Sequence, residues 1–192
     1  MDSMELGAPD GVSARLLWDP ATSPHDRRRM LARELVAARL HVDPDDVRIE
    51  REAPAQFGYH TRLFASVGGE DVPLAITTTS VRSATVVAVS DPSTVVGIDL
   101  RDPRPDQDTW REIHRHSHLW PGTAETDYLA HWRAVQAILA ADARGERVRT
   151  DSVVLDAGLA RGWVVDRPAR YQVADVSRGG FLVTLAYGPR VD

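Results

Sequence analysis

The chain has 192 residues, 43% of them hydrophobic, a formal net charge of -5 and no cysteine, so disulfides, thiolate nucleophiles and Cys-based zinc sites are excluded. All 23 Lys+Arg positions are arginine, which excludes Schiff-base catalysis and any lysine acid or phosphate clamp. No apolar run is long enough to span a bilayer, and the acidic start "MDSMELGAPDG" is unlike a secretory leader, so a soluble cytoplasmic protein without membrane attachment is expected.

In chain order, "RLLWD" (15–19) reads as a strand, followed by an amphipathic helix over 23–40. Ser23 is placed to cap that helix, Pro24 suits its first position, and Met30, Leu31, Leu35, Val36 and Leu40 recur at helical spacing. Five β-branched segments follow: "VRIERE", "TRLFASV", "VPLAITTTS", "ATVVAVS" and "VVGIDLR". Gly, Pro and Asp turns separate them, and the last three are expected to form an antiparallel meander. Pro103 and Pro105 open a second half, where helices are predicted over about 106–118 and 123–143. The strands "SVVLDAG", "GWVVDR", "RYQVADV" and "FLVTLAYG" close the chain. Helix then strands, twice, predicts an α+β fold built from two similar halves, 1–102 and 103–192, with a cleft between them.

Two blocks carry a family resemblance. "VPLAITTTSVRSATVVAVSDPSTVVGIDLRDPRP" resembles the central block of the surfactin-type 4'-phosphopantetheinyl transferases, where a strand ending in Ser-His, an Ala-Val-rich strand and Gly-x-Asp-x-Glu follow one another. "HWRAVQAILAADARG" is similar to that family's Trp-x-x-Lys-Glu-Ala helix, with Trp132, Ala137 and Gly145 in register. The resemblance implies a pseudo-dimer of α+β halves acting as a monomer, with coenzyme A and magnesium at the interface.

Residue by residue, the family's chemistry is missing. The three metal-holding carboxylates of the family correspond to Asp99, Arg101 and Gln136. The lysine that assists deprotonation of the carrier serine corresponds to Val135, a later helix lysine to Ala140, and the Ser-His pair that contacts coenzyme A to Thr79-Ser80. Magnesium needs several anionic oxygens, and one carboxylate in three remains. No metal site is therefore expected, and coenzyme A with magnesium belongs only to a residual-transferase alternative.

Asp99 and Arg101 are two apart on a strand and share a face, so the guanidinium can neutralise the acid in place of the metal. That pair reads either as a structural ion pair or as an acid tuned by arginine. In "REIHRHSHLW" (111–120), His114, His116 and His118 would line one face of a strand, whereas on a helix only His114 and His118 align. One of them is the candidate partner for proton transfer at Asp99, with Arg101 orienting the acid and Gln136 donating a hydrogen bond. His131, beside Trp132, is a further candidate, and His25, His41 and His60 read as surface or turn positions. Trp110, Trp120 and Trp132 read as core anchors.

Arg28, Arg29 and Arg33 read as a solvated helix face or, through the resemblance, with Ser80, as contacts for coenzyme A phosphates or an acidic carrier protein. No basic groove suited to nucleic acid is evident. Three functions follow as expectations. The first is metal-free acid/base chemistry of dehydratase or cyclase type on a small or carrier-tethered natural-product intermediate. The second is a noncatalytic module binding a carrier protein or acyl-pantetheine, and the third is residual transfer.

Overall fold

The computed structural model describes residues 3–51, 63–122, 124–144 and 147–191. His60, Thr123 and Gly145 lie outside the described residues. The fold is mixed α+β, and the chain divides into two compact units, Met1–Thr94 and Val95–Asp192.

The first unit contains β1 (Ser3–Glu5), β2 (Val12–Trp18), α1 (Pro24–Leu40), β3 (Val47–Arg51), β4 (Leu63–Val67), β5 (Glu70–Val81) and β6 (Ala84–Ser90). Ser23 caps α1 by accepting the Asp26 N–H at 3.1 Å, and Pro24 occupies a position whose N–H has no helical partner to lose. The strands form one sheet in the order β1-β2-β6-β5-β4-β3. Leu31, Leu35 and Val36 of α1 close a core with Leu17, Ile49, Val87 and Val89 of the strands. Fully burying each such side chain is worth roughly 1.5–3 kcal/mol. The β4–β5 register jumps from Ala65↔Val72 to Leu63↔Ile76. Pro73, which has no N–H to give the ladder, falls in that irregularity.

The second unit contains β7 (Thr94–Arg101), α2 (Gln107–His116), a 3₁₀ turn (Ser117–Leu119), α3 (Glu125–Asp142), β8 (Val153–Leu155), β9 (Arg161–Val164), β10 (Tyr171–Asp175) and β11 (Leu182–Pro189). Its sheet order is β7-β11-β10-β9-β8. Ile138 and Ala141 of α3 pack with Val164, Tyr171 and Ala186 of the strands. Leaving out the short β1, both units follow one rule: a strand, helical structure, then four strands of which the last lies beside the first, β2-β6-β5-β4-β3 and β7-β11-β10-β9-β8.

Three expectations change, and one strand is new. The anticipated three-strand meander stops at β6, because β7 pairs with β11 in the other sheet. The division between units accordingly falls ahead of most of β7, at Thr94/Val95, not after residue 102. The helix predicted to 118 ends at His116 and tightens into a 3₁₀ turn. β1 is added at the edge, where Met4 pairs with Leu16. Among the described residues, no helix is long and apolar enough to cross a membrane.

Candidate functional site

In β7, Gly97, Asp99 and Arg101 alternate onto one face. Gly97 is required there: a Cβ would lie 2.1 Å from the Ala137 carbonyl oxygen and 2.2 Å from the Ala141 nitrogen, so only glycine lets α3 come this close. Asp99 is 7% exposed. The Arg101 Nε lies 3.0 Å from both Oδ1 and Oδ2, and Arg101 Nη2 is 2.9 Å from Oδ1. The same guanidinium sits 5.9 Å from the centre of the Trp132 ring. Burial pushes the Asp99 carboxyl above the ordinary aspartate range; the attraction and hydrogen bonding of Arg101, and the more remote charge of Arg133, offset only part of that rise.

Arg133 is committed elsewhere. It grips Asp175 at 3.1 and 3.2 Å and the Ser177 hydroxyl at 2.8 Å. Among the described residues, Arg133 Nε and the neighbouring Trp132 Nε1 are buried donors without an acceptor.

The structure separates the three histidines of 111–120. His114 is exposed and stacks on Trp110 at 5.7 Å. His118 lies exposed in the 3₁₀ turn, so the expected helical alignment of His114 with His118 is lost. His116 is half-buried, 5.7 Å from Trp132 and 6.4 Å from Trp120 by ring centres. Its Nδ1 lies 3.0 Å from the Glu112 carbonyl oxygen. A carbonyl only accepts, so this contact assigns the proton to Nδ1 and leaves the Nε2 lone pair available in the neutral ring. His131 repeats the arrangement: Nδ1 is 2.8 Å from the Asp127 carbonyl oxygen, and the ring stacks on Trp120 at 6.0 Å. Trp120 is half-buried rather than a core residue, and both imidazoles pack on it. Gln136 is half-buried on α3, one turn beyond Trp132.

In the first unit, Arg29 and Arg33 of α1 line an open groove of about 600 Å³ together with Arg48 of β3. All three arginines are exposed, and none is ion-paired among the described residues. Asp26 and Glu50 are the acids in the lining, so its formal charge is positive by one. Arg28 does not join them; its Nε turns back to the Pro24 carbonyl at 3.0 Å. Arg48 escaped the sequence reading, although the alternation in "VRIER" signals it: Val47 and Ile49 point inward, Arg48 and Glu50 outward.

Arg27 also escaped it. At 1% exposure it is the largest fully buried side chain among the described residues, and it donates to Thr85 Oγ1 at 3.0 Å, the Asp19 carbonyl at 2.7 Å, the Arg82 carbonyl at 2.8 Å and the Thr22 carbonyl. Ser80 is exposed, with its Oγ 3.0 Å from Thr85 Oγ1.

These arrangements decide which groups the residues can hold. Both oxygens of Asp99 face a guanidinium, the second expected ligand is that guanidinium, and the third is a neutral amide, so the donor set does not fit magnesium. Among the described residues, no group of three or more His, Asp or Glu is placed to hold a metal ion. Exposed arginines along one groove do fit the phosphates of a coenzyme A-type ligand. No protein-family profile matches the chain, and no curated protein matches it.

Proposed function

We propose that this protein is a divergent phosphopantetheinyl-transferase-like module that binds a phosphopantetheine-bearing ligand, free or carrier-tethered, without transferring it. The observation that carries this reading is the groove between α1 and β3, where Arg29, Arg33 and Arg48 outnumber the acids. Guanidinium groups match phosphate oxygens in geometry and charge. Transfer is set aside because the Asp99 position, metal-holding by resemblance, is filled by its own cation.

Titration calorimetry with coenzyme A tests the proposal. Arg29→Ala with Arg33→Ala should weaken binding at least about tenfold, the loss expected for charge-assisted hydrogen bonds. Its binding should also depend less steeply on salt than that of the unaltered protein. Absence of binding at millimolar coenzyme A, or binding indifferent to the arginine pair, overturns the reading.

A second reading has its own support. The Nε2 lone pairs of His116 and His131 beside Trp120 suit proton transfer on a small or carrier-tethered intermediate, of the dehydratase or cyclase type. A positioned acid or base contributes roughly a hundredfold to ten-thousandfold in rate. Turnover lost on that scale in His116→Ala or Asp99→Asn, with the fold intact, would establish this reading over the first.

A further inference from the structure

We infer that the face of the second unit's sheet turned away from α3 is an interaction surface for a second copy of this chain, and that the acidic end of that copy's first sheet occupies it. The inference uses none of the residues on which the ligand readings above rest.

Strand alternation sorts the residues of this face. Gly162 lies against the Ile138 side chain of α3, and Val164 and Tyr171 belong to the core that α3 closes. Arg161 and Trp163 on β9, and Arg170 and Gln172 on either side of Tyr171, therefore point the other way. Tyr187 of β11 pairs with Gln172 and shares that side. Arg161, Arg170 and Gln172 are exposed, and Val165, just past β9, is 67% exposed.

The polar groups of this face give more than they receive. The Arg170 guanidinium lies 3.9 Å from the centre of the Trp163 ring, a stacking that holds its donors in place. Arg161 has no ion pair or side-chain hydrogen bond among the described residues. Tyr187 donates its hydroxyl to Gln172 Oε1 at 2.8 Å, which leaves the Gln172 amide as a donor. The acids nearest in sequence are engaged: Asp156 accepts the Ala160 and Arg161 N–H groups, and Asp166 is gripped by Arg144. A face of this kind takes anionic oxygens beside an apolar contact, and Trp, Tyr and Arg are the residues that dominate association energies.

The same chain displays the complement. Asp43, Asp45 and Asp46 lie at the 3₁₀ turn Pro44–Asp46 that leads into β3, and Glu70 and Asp71 begin β5. Register brings them to one end of the sheet, since Val47 pairs with Val67 and Val67 with Glu70. All five are exposed, and none has an ion pair among the described residues. Asp43 accepts the Asp45 N–H at 2.9 Å, while the other four carboxylates have no hydrogen-bond donor there. Their mutual repulsion is relieved when a cationic face covers them. Opposite charges gathered on different units make attraction between copies directional, and the contact is heterologous because the two surfaces differ.

Sedimentation velocity over a concentration series tests this on the unaltered protein, on Arg161→Glu/Arg170→Glu, on Asp45→Arg/Asp46→Arg, and on an equimolar mixture of the two variants. The unaltered protein should self-associate weakly, with a mass that rises with concentration and falls with salt. Each charge reversal should weaken association at least about tenfold, because it sets like charges against each other. The mixture should recover it, since each variant carries the charge that the other lacks. Trp163→Ala should also weaken association about tenfold through loss of the aromatic anchor.

The reversed positions are exposed, and melting temperature checks that each variant is folded. Arg161→Gln/Arg170→Gln replaces a reversal that does not fold, and association undiminished in it refutes the contact. An unaltered protein that stays monomeric at millimolar concentration overturns the inference, and leaves the face to a different acidic partner or to none. Association indifferent to both reversals, or lost in each and not recovered in the mixture, overturns it as well.

Discussion

Removing Arg101 and removing Asp99 should have very different consequences, although the two residues form one pair. Arg101→Met deletes the cation that meets both oxygens of a carboxylate only 7% exposed. Leaving a buried charge uncompensated costs about 3–5 kcal/mol, which in a chain of this size lowers the melting temperature by roughly 6–20 °C. Asp99→Asn keeps the shape and removes the charge. Burial already outweighs Arg101 in setting the Asp99 carboxyl, so this change should stay within about 1 kcal/mol of the unaltered protein. The double variant should recover most of the Arg101→Met loss.

Urea unfolding followed by tryptophan fluorescence measures all four proteins. The sign of the pH dependence is fixed as well. Asp99 titrates higher in the folded than in the unfolded chain, so its favourable contribution is complete below the unfolded value of about 3.9 and is lost as pH rises through the folded value. In Arg101→Met the folded value climbs further, so the deficit against the unaltered protein should shrink in acid. An Arg101→Met variant as stable as Asp99→Asn at neutral pH would show the carboxylate to be hydrated and refute the reasoning.

Gly97→Ala places a Cβ 2.1 Å from the Ala137 carbonyl oxygen; the contact is with backbone, which cannot rotate away, so a loss of about 3 kcal/mol or an insoluble product is expected in the same unfolding assay. His41→Gly at the C-cap of α1 should stabilise by about 1 kcal/mol, because His41 holds φ 58°, a left-handed conformation costly for a residue with a Cβ; a melting temperature that falls would contradict this. Calorimetry with magnesium should give no submillimolar binding, and such binding, if abolished by Asp99→Ala, would revive metal-dependent transfer.

Local signals were legible in the sequence, and distant ones were not. Ser23 and Pro24 place the start of α1 because capping depends on neighbouring residues. The Asp99–Arg101 pair follows from strand alternation alone. The partner of β7 could not be read, since β11 lies at the far end of the chain and a strand carries no label for its neighbour. The end of α2 was misplaced because "HSHL" continues a helical pattern with no glycine or proline until Pro121. In "DRRRMLAR" three consecutive arginines look alike; helical phase against the β5–β6 hairpin buries Arg27, exposes Arg29 and turns Arg28 back on its own helix. That phase depends on Thr85 and Arg82, far along the chain. Arg48 and the imidazole contacts of Trp120 differ in this respect: the first was readable from period-two alternation, the second only from tertiary structure.

The two units share a strand order and solve their buried charges in opposite ways. In the second, the acid on β7 is met by a full cation, so the pair projects little field and has little to offer an external ion. In the first, a buried cation is met by neutral oxygens, and exposed arginines lie along the same helix. The first unit therefore retains the stronger attraction for an anion. Salt distinguishes the two: screening acts on exposed charges within a Debye length of about 8–10 Å and much less on buried pairs. Raising ionic strength should weaken the proposed coenzyme A binding by the first unit while leaving the destabilisation caused by Arg101→Met nearly unchanged. Equal salt sensitivity of the two would mean that the Asp99–Arg101 pair is as solvated as the groove, and the division of roles between the units would fall.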